Sequence, residues 1–271
     1  MTNKKPHINW FHKTNEILQT QDGKSVEVWE LRHLPETEVL KAWAKHFRNH
    51  YCLDEEIDKL RDGTDLSRSE YLNKFVFPDH INAPGPSIRA GDFAEILIAD
   101  LMEYILGFWV PRSRYGDKAI PNESTKGVDI LGFKMLGETP DSQDTLITCE
   151  AKASLSGRSK KNTLQEAIND SAKDMLRKAH SLHALKKRLI TSGDARGADI
   201  IKRFQDPIGN PYKEFSAAAA ILNSSAYDTA ILTQADASKH LNNGGLMLIV
   251  MHGEDLMTLT HSLYKRAANE A

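Results

Sequence analysis

Hydrophobic positions recur along this chain in two periods, and together they predict alternating strands and helices. Residues 26–33, Val-Glu-Val-Trp-Glu-Leu-Arg-His, alternate loosely and predict a strand. From Pro35 to Tyr51, the apolar residues Val39, Leu40, Trp43, Phe47 and Tyr51 return at helical spacing, with Pro35 suited to a first turn. A weaker, more charged helix is predicted over 54–74, after which Pro78, Pro84, Gly85 and Pro86 break the chain. The clearest helix covers 91–108. Phe93, Leu97, Leu101, Ile105 and Phe108 form one stripe, and Ile98 and Met102 widen it, so this helix should be buried.

Downstream, two strands are predicted at 128–136 and 145–153, joined by a turn containing Gly137, Pro140 and Asp141. A long polar helix follows over 163–189, then a basic stretch broken by Gly and Pro to about residue 212. Strands are predicted at 228–233 and 246–252, and a closing helix at 254–268. This order predicts an α/β (α+β) fold, a mixed sheet flanked by helices, with a mainly helical N-terminal module. The punctuation near residue 85 divides the chain into a module over 1–85 and a core over 86–271.

Composition narrows the function classes. With 40% hydrophobic and 27% charged residues, 271 residues can bury a sizeable core. No apolar run approaches the roughly 20 residues of a membrane span, and the polar, basic start has no leader-like core. Two cysteines, Cys52 and Cys149, are too few for a disulfide framework or a four-cysteine zinc site. A cytoplasmic protein is expected. The net charge of −2 points to no partner, but it is unevenly distributed. Residues 158–203 hold 12 Lys and Arg against 5 Asp and Glu, a net of +7, so the rest of the chain carries −9. A basic stretch of this kind suits phosphate neutralisation.

The candidate chemistry lies just before that stretch. In the strand Leu146-Ile147-Thr148-Cys149-Glu150-Ala151-Lys152, alternation places Glu150 and Lys152 on one face and Ile147, Cys149 and Ala151 on the other. Asp129 opens the preceding strand, and the two strands can lie side by side. Two converging carboxylates repel unless a cation lies between them, and hard oxygen ligands favour Mg²⁺ or Mn²⁺. The backbone carbonyl of Ala151 is a further candidate ligand. Lys152 would then assist the attacking water or the developing charge on phosphorus. Glu95, at the edge of the buried helix, needs a partner such as Lys152 or a metal water.

A helix Glu, Gly-x-Asp on one strand and Glu-x-Lys on the next resemble the PD-(D/E)XK nuclease pattern, matched by Glu95, Asp129, Glu150 and Lys152. A Val stands where the name has Pro. Ala94-Glu95-Ile96-Leu97, Lys126-Gly127-Val128-Asp129-Ile130 and Cys149-Glu150-Ala151-Lys152 further resemble the HamA family, the nuclease subunit of Hachiman anti-phage systems. The resemblance implies a restriction-endonuclease-like sheet, Mg²⁺-dependent cleavage of DNA, and a helicase partner, HamB, that restrains the nuclease. It implies that Asp129 and Glu150 bind metal and Lys152 assists the water. Glu95 would be an outer ligand or orient that lysine. Arg158, Lys160, Lys161 and Gln165 are the nearest candidates for DNA contact.

Simpler readings stand beside these. Glu-x-Lys alone is usually an exposed salt-bridged edge, and a charge run is usually a solvated helix face. His46 and His50 have zinc-ligand spacing but no third ligand, and with His180 and His183 they are expected on solvated faces. Cys149 should be core, and no run has P-loop spacing. A non-catalytic nuclease fold that binds a helicase or DNA is the main alternative, and a small-molecule phosphate-ester hydrolase a weaker one.

Overall fold

A computed structural model describes residues 4–157 and 161–271. The chain opens with β1 (Phe11–Lys13), β2 (Leu18–Gln19) and β3 (Ser25–Leu31). The helices α1 (Thr37–Arg48), α2 (Ile57–Arg61) and α3 (Arg68–Tyr71) lead into the long helix α4 (Gly85–Tyr104). β4 (Ile130–Lys134) and β5 (Thr145–Ser154) form an antiparallel hairpin, followed by α5 (Thr163–Thr191) and α6 (Ala195–Phe204). β6 (Lys213–Asn223), the single turn α7 (Thr229–Leu232), β7 (Leu246–Gly253) and α8 (Leu256–Asn269) complete the chain.

The strands make one mixed sheet in the order β1-β3-β7-β6-β5-β4, with β2 also on β3. β3, β7, β6 and β5 run parallel, whereas β1, β2 and β4 are antiparallel to their neighbours. The expected α+β architecture is therefore present. Residues 1–85 supply β1, β2 and β3 to the same sheet as the downstream strands. Phe47 of α1 packs edge-on against Tyr264 of α8, with ring centroids 4.8 Å apart.

Three elements differ from the sequence reading. The strand expected at 228–233 is the helical turn α7, whose first N–H groups are met by the Asp228 side chain, 2.9 Å from Ala230 N. The strand that joins β5 to β7 is instead β6. Its centre, Ala217–Ala220, carries none of the β-branched residues that signal a strand. Those alanines face both core layers, so the helices on either side approach the sheet closely. The single helix expected over 54–74 is also broken, at Gly63 and Asp65, which both take positive φ.

Helices cover both faces. α1, α4 and α8 pack over Ile147, Cys149, Ala151, Ala219 and Ile249, while the first half of α5 packs over Ala218, Ala220, Leu248 and Val250. The second half of α5 joins α6 over Leu131, Phe133 and Leu146. No helix among the described residues is long and apolar enough to cross a membrane.

Candidate metal centre

The hairpin creates the site because β5 outruns β4. Their last pair is Ile130 with Cys149, so Glu150, Ala151 and Lys152 extend past the start of β4. Ile147, Cys149 and Ala151 enter the core under α4, which leaves Glu150 and Lys152 on the face covered by α5. Gly127 turns the chain into β4 with φ of +106°, and a Cβ there would lie 2.8 Å from Ser181 Oγ. That hydroxyl accepts the Val128 N–H at 3.0 Å. The turn delivers Asp129 to the exposed edge of β5, where its Oδ2 accepts the Ala151 N–H at 3.2 Å. A strand residue projects its N–H and C=O toward the same neighbour, so the Ala151 carbonyl opens on the same side.

Glu95 reaches this point from α4. The Tyr115 hydroxyl donates to its Oε2 at 2.6 Å, and Arg114 Nε lies 3.2 Å from the same oxygen. Arg114 Nη2 also donates to Asp129 Oδ1 at 2.8 Å, so one guanidinium ties the helix carboxylate to the strand carboxylate. Burial, then the charge of Asp129, pushes the Glu95 carboxyl up to about 8.

On the α5 side, Lys152 Nζ sits 2.6 Å from Glu150 Oε1 and 2.7 Å from Asp170 Oδ2. Despite partial burial, these two carboxylates hold the Lys152 ammonium above the usual lysine range. Glu150 is 5% exposed, and burial followed by the Asp129 charge raises it to about 7. Its second oxygen, Oε2, is buried without a hydrogen-bond partner. Asp174, one turn beyond Asp170, is 0% exposed with neither oxygen hydrogen-bonded. Burial, then Glu150 and Asp129, lifts it to about 8. Glu95, Lys126, Asp129, Glu150, Lys152, Asp170 and Arg177 are among the residues that line an open cleft of about 1090 Å³.

Buried carboxylate oxygens left without donors, beside further acids, constitute a deficit of positive charge. The donors present are hard oxygens, and the nearest thiol, Cys149, points into the opposite core layer. The set fits a divalent cation of the Mg²⁺ or Mn²⁺ type, which Asp129, Glu150 and the Ala151 carbonyl would hold.

The family model of HamA matches residues 5–267 of this chain. The chain belongs to the HamA family. None of the curated proteins matches it. Membership links this HamA-family chain to the Hachiman defence system.

Within this HamA-family fold, Glu95, Asp129, Glu150, Ala151 and Lys152 meet at one end of the cleft. Gln165 is not among the described residues lining it. Its amide instead docks the 236 loop, accepting Asp236 N–H at 2.6 Å and donating to Asp236 O at 3.1 Å. Arg158 and Lys160 lie outside the described residues, and Lys161 lies 3.7 Å from Glu166. Much of the basic stretch is engaged internally: Lys178 pairs with Glu214, Arg188 with Asp117 and Arg203 with Asp144. His180 and His183 are exposed as expected, but His46 and His50 are not on a solvated face. With His7, His46 meets the buried Asp100 at 2.9–3.0 Å, and Arg112 saturates the same carboxylate at 2.8 Å. Arg114, Tyr115, Asp170 and Asp174 were not anticipated. For Asp174 a signal existed, because Ala167, Ser171 and Asp174 continue the buried stripe of α5.

Proposed function

We propose that this chain is a Mg²⁺-dependent deoxyribonuclease that hydrolyses phosphodiester bonds within DNA for Hachiman defence. A HamB-like helicase would hold it in check. The observation that carries this reading is the convergence of Asp129, Glu150 and Lys152 at the cleft, with buried carboxylate oxygens that lack donors. A bound cation would supply Lewis acidity at the scissile phosphate and its attacking water. The chain's own groups prepare that point. Asp129 is fixed by the Ala151 N–H and by Arg114, and Glu95 by Tyr115 and Arg114. Lys152, kept protonated by Glu150 and Asp170, is a hydrogen-bond donor and point charge rather than a base. Its place is against the negative charge that grows on the non-bridging oxygens as water enters and the opposite P–O bond breaks. Lys126 and Arg177, also at the cleft, would meet flanking phosphates.

Glu150→Gln and Lys152→Ala are expected to lower Mg²⁺-dependent plasmid cleavage by about 100-fold or more, with circular dichroism unchanged. Folded variants that cut at the wild-type rate would overturn the assignment. We place helicase docking on residues 1–85, where Phe75 is 48% and Ile81 72% exposed. Phe75→Asp with Ile81→Asp should weaken co-purification of the helicase while sparing cleavage by the free chain. Undiminished co-purification counts against docking there.

A further inference from the structure

The α5 face holds a carboxylate that the mechanism above leaves unused. α5 runs back along β5. Asp170 meets Lys152, and Lys178, two turns later, meets Glu214, which lies across from Leu146 in the sheet. Asp174 falls midway between those anchors, over the stretch of β5 that presents Thr148 and Glu150. It is fully buried, neither of its oxygens accepts a hydrogen bond, and Glu150 Oε2 on β5 is equally unpartnered. Its nearest cation is the half-exposed Arg177, 3.9 Å away and beyond hydrogen-bond reach. A buried carboxylate is ordinarily paired, and here the charges of Glu150 and Asp129 act on Asp174 instead of a compensating cation. Two such groups on separate elements, with oxygen donors only, match what a hard cation requires.

We propose that Asp174 is a ligand of the divalent cation, so that α5 and β5 together hold it. This rests on the nuclease reading and extends its ligand set to a helix outside the recognised motif. Anchoring the cation to α5 ties it to the element that also carries Asp170, the partner of Lys152. The cation and the lysine thus share one rigid support.

Mn²⁺ binding to the full chain, followed by the electron paramagnetic resonance signal of the free ion, tests this without reference to cleavage. Asp174→Asn should bind Mn²⁺ about ten-fold more weakly or worse and melt no lower than wild type in EDTA, because an unpartnered buried carboxyl gives way to a neutral amide of the same shape. Unchanged Mn²⁺ affinity in Asp174→Asn, with Glu150→Gln impaired, overturns this proposal alone. Undiminished affinity in both variants overturns the metal reading of the whole site as well. If Asp174→Asn fails to fold, the wild-type chain still decides. With Fe²⁺, ascorbate and peroxide, backbone scission should appear beside residue 174 as well as beside 129 and 150. Scission at the two strand positions without the α5 position refutes the assignment.

Discussion

Arg114 is the residue on which the charge of the site balances. Its guanidinium stands between Glu95 and Asp129, and burial would leave both acids uncompensated without it. Breaking a buried ion pair by removing one partner costs about 3 kcal/mol. Arg114→Gln is therefore expected to melt well below wild type in EDTA. Mg²⁺ should raise its melting temperature by more than it raises that of wild type, since a bound cation offsets the same charge. Equal melting temperatures in EDTA would show that the guanidinium is not the compensating group. The placement of Asp129, Glu150 and Lys152 was legible because a strand alternates strictly, so Glu-x-Lys fixes a face and Gly-x-Asp a starting point. Glu95 was read instead from the border of the apolar stripe of α4. Arg114 was not legible. It lies in an irregular segment and meets partners 15 and 19 positions away, a separation that no local periodicity encodes.

At the scale of elements, α4 organises the site and much of the core through a row of acids. Asp92 takes Lys118, Glu95 takes Arg114 and Tyr115, and Asp100 and Glu103 both take Arg112. The segment from 112 to 118 therefore runs antiparallel to α4, with a donor for every acid. This pairing explains how a helix whose apolar stripe predicts burial also carries four acids. Most helices and the β4–β5 hairpin were readable, because their apolar stripes and alternation are determined by which faces they bury. β6 was not. A strand covered on both faces by close helices selects small side chains, and alanine carries no strand signature. The mistaken strand at 228–233 has the same root. A short apolar run reads alike as strand or helical turn, and the Asp228 cap decides between them.

Across the whole molecule, two sets of buried groups pull stability in opposite directions with pH. His7 and His50 surround Asp100, His46 and Arg112, and burial lowers both imidazoles below their ordinary 6.5. They are neutral in the fold, whereas the unfolded chain takes up their protons as pH falls through 6.5. Their contribution is thus complete above that value and lost below it. Glu95, Glu150 and Asp174 behave oppositely. With raised values of about 8, 7 and 8, they hold protons in the fold that the unfolded chain has already released. Stability accordingly falls as pH climbs from the ordinary carboxylate range through 7 and 8. Urea denaturation in EDTA should therefore give a maximum near weakly acidic pH, with a descending limb on each side. His50→Gln is expected to flatten the acid limb only. Mg²⁺ should flatten the alkaline limb only, because cation binding favours the ionised carboxylates and strengthens as they lose protons. An acid limb as steep in His50→Gln as in wild type would remove the histidine cluster from this account. An alkaline limb indifferent to Mg²⁺ would do the same for these three carboxylates.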